Sequence, residues 1–463
     1  MIPVIALVGK PNVGKSTLFN RLTRSRDALV ANFSGLTRDR KYGHGDMFDR
    51  RFMLIDTGGI SGEEVGIDVE MAQQSLQAIN EADVVLFMVD CREGITSADY
   101  LIADKLRRRN AKVYLVANKI DGLDPAAALV DFYQLGFPKI FPTTASHGRG
   151  VRAIMEVVLK RFEPQNTLSS DLGDSIKVGV VGRPNVGKST LVNRMLGEER
   201  VVVFNEPGTT RDSIFIDYER HGQRYTLIDT AGVRKRKNIK LAIEKFSIVK
   251  TLQSIDASNV VLILVDSQEG LVEQDLHLIG SVIDAGRGVV VVINKWDGLK
   301  ADQRENVKNE IERRLRFADF AKVHFVSALH GTGVGKLYES IKIAYLSATH
   351  RLSAAKLTSI LAGAVGTHQP PMIQGRRIKL RFAHSGGRTP PVIIIHGNQT
   401  ESVPSHYTRY LERAFRRELG LEGTPVKVEF RTGENPYNRL YSGVGEGRKR
   451  RTKNITKYGK RNL

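Results

Sequence analysis

A single cysteine, Cys91, is all the thiol chemistry that 463 residues contain; this excludes an internal disulfide framework and fits a reducing cytoplasm. One isolated thiol in an apolar stretch reads as a small core residue, not a nucleophile. Apolar runs long enough to span a membrane are absent, and no stable membrane association is expected. The apolar N-terminus, MIPVIALVG, has no basic leading region and runs directly into a glycine-rich loop, so it reads as a first strand and not as a signal peptide. Aspartate is missing altogether from residues 350–463.

That last absence shapes the charge. Lys plus Arg against Asp plus Glu number 22 and 19 in residues 1–162, 26 and 24 in residues 163–349, and 22 and 7 in residues 350–463; of the net +20, +15 therefore falls in the last quarter. So segregated an excess points to a polyanionic partner, of which nucleic acid is the commonest.

GKPNVGKS at residues 9–16 returns as GRPNVGKS at 182–189, an offset of 173. Each copy follows a short apolar strand (VIALVG, VGVVG) and opens a helical stretch (STLFNRL, STLVNRM), the context in which G-x-x-x-x-G-K-[ST] is a phosphate loop. At the same offset, Leu36-Thr37-Arg38-Asp39 meets Thr209-Thr210-Arg211-Asp212, and Asp56-Thr57-Gly58-Gly59 meets Asp229-Thr230-Ala231-Gly232. Asn118-Lys119-x-Asp121 then meets Asn294-Lys295-x-Asp297, and Thr144-Ala145 meets Ser327-Ala328. The chain is a duplicated domain. Continuous apolar runs such as VVLFMVD and VVLILVD, separated by amphipathic stretches, indicate an α/β fold with mainly parallel sheets covered on both faces, and every shared motif sits at a strand's carboxyl end.

The motifs assign roles. Backbone N–H groups of Gly9, Lys10, Pro11–Gly14 (with Asn12 and Val13) and of Gly182, Arg183, Pro184–Gly187 (with Asn185 and Val186) surround phosphates, with Thr17 and Thr190 just inside the helices. Proline alone among these offers no N–H. Lys15 and Lys188 bridge the terminal phosphates of GTP, and Ser16 and Ser189 ligate Mg2+. Asp56 and Asp229, ending strands about 40 residues on, hold the magnesium shell; Gly59 and Gly232 offer an N–H to the γ-phosphate; Thr37 and Thr210 supply a hydroxyl that joins the metal only while that phosphate is present. A carboxylate at Asp121 or Asp297 accepts two hydrogen bonds from N1–H and the N2 amine of guanine, a donor pair that adenine lacks. Asn118, Lys119, Asn294 and Lys295 frame the base, and the amides of Ala145 and Ala328 reach toward O6.

This ordered set resembles the small GTPases of the translation-factor class. Two tandem sets followed by a basic α-β-β-α-β region resemble the Der (EngA) double-GTPase family of bacterial ribosome-assembly factors over essentially the whole chain. The resemblance implies a GTPase with two nucleotide-controlled sites acting in maturation of the large (50S) ribosomal subunit, binding rRNA and ending in an α+β KH-like domain. Its parts are a first GTPase domain (1–162), a linker (163–175), a second GTPase domain (176–349), the KH-like domain (350–440) and a basic tail (441–463). One position departs from the glutamine-dependent GTPases: Ile60 and Val233 follow the D-x-x-G glycine, and neither side chain orients water. In families with that substitution a loop asparagine accompanies K+ in place of an arginine finger, and Asn12 and Asn185 match it. Slow intrinsic hydrolysis stimulated by K+ follows from the resemblance.

In the third region the G-x-x-G strings at Gly363–Gly366 and Gly420–Gly423 do not fall between two expected helices, so a KH-type clamp is not expected from them. Arg376, Arg377, Lys379 and Arg381 on a strand, and Arg409, Arg413, Arg416 and Arg417 at helical spacing, point to phosphate contacts more than base readout. Arg234–Lys237 follow the second D-x-x-G where the first copy has acidic Gly62–Glu64, so the second site is expected to present a cationic strip to RNA. Two rival readings remain: an RNA-binding scaffold with one non-hydrolysing site, and a GTPase of tRNA modification. The lack of modification-type cysteine chemistry counts against the latter.

Overall fold

The computed structural model describes residues 2–23, 30–32, 41–57, 79–108, 112–162, 175–197, 201–204, 215–228, 248–373 and 376–432. The chain divides into two compact units, Met1–Tyr345 and Leu346–Leu463.

The first unit holds two seven-stranded sheets with the same plan. In one, β1 (Val4–Val8), β2 (Val30–Asn32), β3 (Lys41–Met47), β4 (Arg50–Asp56), β5 (Val84–Asp90), β6 (Lys112–Asn118) and β7 (Ile140–Pro142) stand in the order β2-β3-β4-β1-β5-β6-β7. The pairs β4-β1, β1-β5, β5-β6 and β6-β7 are parallel; β2-β3 and β3-β4 are antiparallel. The other sheet repeats this with β8 (Ser175–Gly182), β9 (Val201–Phe204), β10 (Ile216–Arg220), β11 (Gln223–Ile228), β12 (Val260–Asp266), β13 (Gly288–Asn294) and β14 (Lys322–Phe325), in the order β14-β13-β12-β8-β11-β10-β9. Seven consecutive buried residues in β5 and in β12 show why these runs are apolar on both sides: helices cover both faces. In each sheet the first strand lies between neighbours that continue in opposite directions, β4 and β5 or β11 and β12, which opens a crevice at the strands' carboxyl ends.

One boundary and one core differ from the sequence expectation. Ser175, placed last in the linker, already belongs to β8: it pairs in register with Arg224, and its hydroxyl lies 2.7 Å from that of Thr226. The two GTPase domains also share one apolar cluster, in which Val4, Tyr42, Met53 and Val85 join Ile248, Val249, Leu252 and Ile255. Apolar side chains that a duplicated sequence assigns to two cores are thus removed from water together.

In the second unit, the helix Ala354–Thr367 precedes β15 (Met372–Ile373), β16 (Arg376–Arg377), β17 (Lys379–Gly387) and β18 (Val392–Asn398), followed by the helix Ser405–Leu419 and β19 (Lys427–Thr432). The main sheet runs β17-β18-β19, antiparallel then parallel. Leu357 and Leu361 from one helix and Leu411 and Phe415 from the other pack on Ala383, Ile393 and Ile395. This is the α-β-β-α-β unit expected from the sequence. Gly363 and Gly366 lie inside the first helix and Gly420 ends the second, so neither G-x-x-G string links two helices.

Candidate nucleotide-binding sites

The phosphate loops have matching backbones. After β1, Asn12 (φ 63°) and Gly14 (φ 99°) take left-handed conformations before the helix Lys15–Leu22; after β8, Asn185 (φ 62°) and Gly187 (φ 100°) do so before the helix Lys188–Leu196. A Cβ on Gly14 or Gly187 would lie 2.3 Å from Nδ2 of Asn118 or Asn294, so both glycines are required by conformation and by space. That amide is held there because Asn118 Nδ2 donates to Val13 O and Asn294 Nδ2 to Val186 O, both at 2.8 Å. The base motif is thereby tied to the phosphate loop.

The lysines lie folded into their own loops. Lys15 Nζ donates to Gly9 O (3.0 Å) and Lys10 O (2.7 Å), and Lys188 Nζ to Gly182 O (3.1 Å) and Arg183 O (2.7 Å). Burial pushes the Lys15 ammonium down to about 8, against the pull of Asp56. Ser16 Oγ donates to Asp56 Oδ2 at 2.8 Å. Burial raises the Asp56 carboxyl, while Ser16, Lys15 and Lys41 pull it down. A hydroxyl and a buried carboxylate that converge in this way are the oxygen donors a magnesium ion takes, so the described half of the first metal site fits. Each loop is anchored at its second residue: Lys10 Nζ lies 3.0 Å from Glu93 and 3.5 Å from the fully buried Asp99, and Arg183 reaches Asp275 (2.9 Å) and Glu269 (2.5 Å).

On the base side, Lys119 (φ 63°) and Lys295 (φ 61°) reach back 2.5 Å to Asp90 and Asp266, the acids that end β5 and β12. Hydrogen bonds from Lys119 and the Arg92 amide keep the Asp90 carboxyl low although burial opposes them. The Ala145 and Ala328 amides, expected at guanine O6, donate at 2.9 Å to Asn118 Oδ1 and Asn294 Oδ1 in this structure. Their carbonyls are held in turn by arginines of the phosphate helices: Arg21 Nε donates to Ala145 O (2.6 Å) and Arg194 Nε to Ala328 O (3.4 Å).

The acids of the two N-K-x-D motifs differ in their surroundings. Asp121 is paired with Arg92 Nη2, whereas Asp297 is held low by the Ser327 hydroxyl and lies 3.5 Å from His330. Thus Lys15, Ser16, Asp56, Asn118, Lys119, Asp121 and Ala145 surround one crevice, and Lys188, Ser189, Asn294, Lys295, Asp297 and Ala328 surround the other. Thr37, Gly59, Ile60, Thr210, Asp229, Gly232, Val233, the acidic Gly62–Glu64 and the basic Arg234–Lys237 lie outside the described residues. Arg21, Arg92, Asp90 and their counterparts Arg194, Gln268 and Asp266 were not singled out from the sequence. The signal was there, since the arginine recurs six residues after each loop lysine and an aspartate ends VVLFMVD and VVLILVD alike.

In the second unit, Arg377, Lys379, Arg381, Arg409, Arg413 and Arg417 are exposed. Arg417 is paired with Glu418. No helix among the described residues is long and apolar enough to cross a membrane.

The family described as 50S ribosome-binding GTPase matches residues 4–119 and again 177–295, and the KH-domain-like family of EngA bacterial GTPase enzymes, C-terminal, matches residues 351–431. GTPase Der of Cellvibrio japonicus is 65% identical over 439 residues, covering 94% of each chain, and that of Saccharophagus degradans is 61% identical over 94% of this chain and 93% of its own. GTPase Der of Marinobacter nauticus is 57% identical over 100% of this chain and 98% of its own. With tandem guanine-nucleotide sites and the KH-like unit in the same order throughout, the chain belongs to the Der (EngA) family of double GTPases.

Proposed function

We propose that this ribosome-assembly GTPase hydrolyses GTP at both of its sites during maturation of the large ribosomal subunit, in the cytoplasm. Lys15 and Lys188 neutralise the terminal phosphates; Ser16, Asp56 and Thr37, and Ser189, Asp229 and Thr210, hold Mg2+; Gly59 and Gly232 donate to the γ-phosphate; Asp121 and Asp297 select guanine. Magnesium, when bound, neutralises charge on the β- and γ-phosphates. The duplicated tie between base motif and phosphate loop, Asn118 to Val13 and Asn294 to Val186 at the same 2.8 Å, carries this reading, because it builds two equivalent crevices in place of one working site and one relic.

Domain limits at 1–162, 175–349 and 350–440 accompany it, with the exposed arginines of the KH-like unit meeting rRNA phosphates. Since Ile60 and Val233 cannot orient water, K+ beside Asn12 and Asn185 supports the transition state. Both asparagines stand exposed in left-handed turns at the mouths of their loops, free to turn a side-chain oxygen toward a cation.

Single-turnover hydrolysis by Lys15→Ala and Lys188→Ala chains, each in K+ and in Na+, tests the assignment. Each variant retains the K+-stimulated turnover of its intact site. If one variant is as inactive as the double variant, only one site hydrolyses; equal rates in K+ and Na+ remove the potassium role. Co-sedimentation with isolated large subunits under GDP and a non-hydrolysable GTP analogue tests the partner.

A further inference from the structure

The two guanine-reading carboxylates are chemically identical, yet their surroundings are not. At the end of β5 the chain reads Asp90-Cys91-Arg92, and at the end of β12 it reads Asp266-Ser267-Gln268. The local fold is the same: the amide of residue 92 donates to Asp90 Oδ1 at 2.9 Å, and that of residue 268 to Asp266 Oδ1 at 3.0 Å. The side chains that leave these two turns then diverge. Arg92 Nη2 pairs with Asp121 Oδ2 and also lies 3.3 Å from Asp121 O. Gln268 instead lies beside Gly298, where its Nε2 is 2.6 Å from the position of an added Cβ; nothing lies within 4 Å of the corresponding position on Gly122.

We propose that Arg92 sets the nucleotide affinity of the first site by competing with guanine for Asp121. The inference rests on Asp121 being the guanine reader. N1–H and the N2 amine need both carboxylate oxygens, and Arg92 occupies Oδ2, so a guanine nucleotide enters the first site by displacing a guanidinium. At the second site the corresponding Gln268 carries no charge, and Asp297 is met instead by the Ser327 hydroxyl and by His330 Nε2 at 3.5 Å, a weaker competition than a paired guanidinium. The competing pair is solvent-exposed, with side-chain exposures of 56% for Arg92 and 39% for Asp121, so the handicap is modest and falls with salt. It gives one duplicated machine two working points: the first site releases nucleotide more readily than its own contacts dictate.

The test exchanges the two residues in the full chain. With Lys188→Ala silencing the second site, Arg92→Gln is expected to tighten GDP binding about 2- to 5-fold through slower release, and the gain shrinks as KCl is raised. With Lys15→Ala silencing the first, Gln268→Arg weakens GDP binding by a similar factor. Inosine diphosphate, which lacks the N2 amine and needs one carboxylate oxygen, gains less from Arg92→Gln than GDP does. Unchanged or weaker GDP binding by Arg92→Gln, or equal gains for GDP and inosine diphosphate, overturns the proposal. Asp121→Asn separates the underlying reading: if it fails to shift preference from GDP toward xanthosine diphosphate, Asp121 does not read the base at all.

Discussion

Lys15 illustrates how burial sets the working range of a single residue. A lysine pushed down to about 8 is charged at neutral pH and loses its proton within the range of ordinary assays. Bound phosphates favour the charged form, so nucleotide binding above pH 8 must take up a proton at this site. The sign is fixed by linkage: first-site affinity is flat below about pH 8 and falls above it, by up to about tenfold per pH unit. Calorimetry of GDP binding to the Lys188→Ala chain at pH 8.5, in two buffers of different ionisation enthalpy, should reveal the uptake; identical heats would contradict it. Gly14 and Gly187 make a steric case at the same scale. Alanine there meets both a positive φ and the Asn118 or Asn294 amide at 2.3 Å. Strain of ~1–2 kcal/mol is expected from the backbone, lowering nucleotide affinity roughly 5- to 30-fold at the substituted site and leaving the other unchanged. Titration of each variant with a fluorescent GDP analogue checks this.

Among the elements, the central strands and the loops that follow them were legible because their residues must satisfy two demands at once, burial on both faces and a fixed motif at the carboxyl end. β3 was not legible. Its KYGHGDM has no apolar alternation, since the places of large side chains are taken by Gly43 and Gly45, over which Phe19 and Phe52 pack: an added Cβ would lie 2.7 Å from the Phe19 ring and 2.4 Å from the Phe52 ring. Here the ring that buries the strand is contributed by another element, and a pattern confined to one segment does not contain it. The same limit hid the arginine that joins each phosphate helix to the base loop, because 124 residues separate Arg21 from Ala145. That connection yields an element-scale prediction. Arg21→Ala frees the loop carrying Ala145 and weakens GDP binding at the first site about 3- to 10-fold, for ~1 kcal/mol of charge-assisted hydrogen bonding. Arg194→Ala has a slightly smaller effect at the second site: Nη2 reaches the next carbonyl in both copies, Ser146 O or Leu329 O, but Nε stands 3.4 Å from Ala328 O against 2.6 Å from Ala145 O. Equal losses at the two sites would show that the bond lengths do not grade the connection.

On the scale of the whole first unit, duplication of sequence did not reveal that the copies pack together. The contact is made by His44 of β3, which lies 3.4 Å from Asp256 on the helix Ile248–Ala257, and by Gln253 of that helix, whose Nε2 donates to Ile2 O at 3.2 Å. Burial raises the Asp256 carboxyl, while His44, Arg287 and Arg51 pull it down, so charges from both domains act on one buried acid. Such a contact is invisible to motif reading, because a lone histidine and a lone aspartate 212 residues apart carry no pattern (256 − 44). Its place in the chain has a consequence. Lys41 of β3 pairs in register with Asp56 of β4, and the helix Ile248–Ala257 packs against β8, which leads into the second phosphate loop, so one interface adjoins elements of both sites. GTP at one site should therefore change affinity at the other, by the same factor in each direction. In a double-mutant cycle of His44→Ala and Asp256→Ala, the unfolding free energies should show a coupling of about 0.5–3 kcal/mol across the interface. The double variant should also bind nucleotide at each site independently of the other. Additive unfolding energies, together with an undiminished influence of one site on the other, would place the communication elsewhere in the molecule.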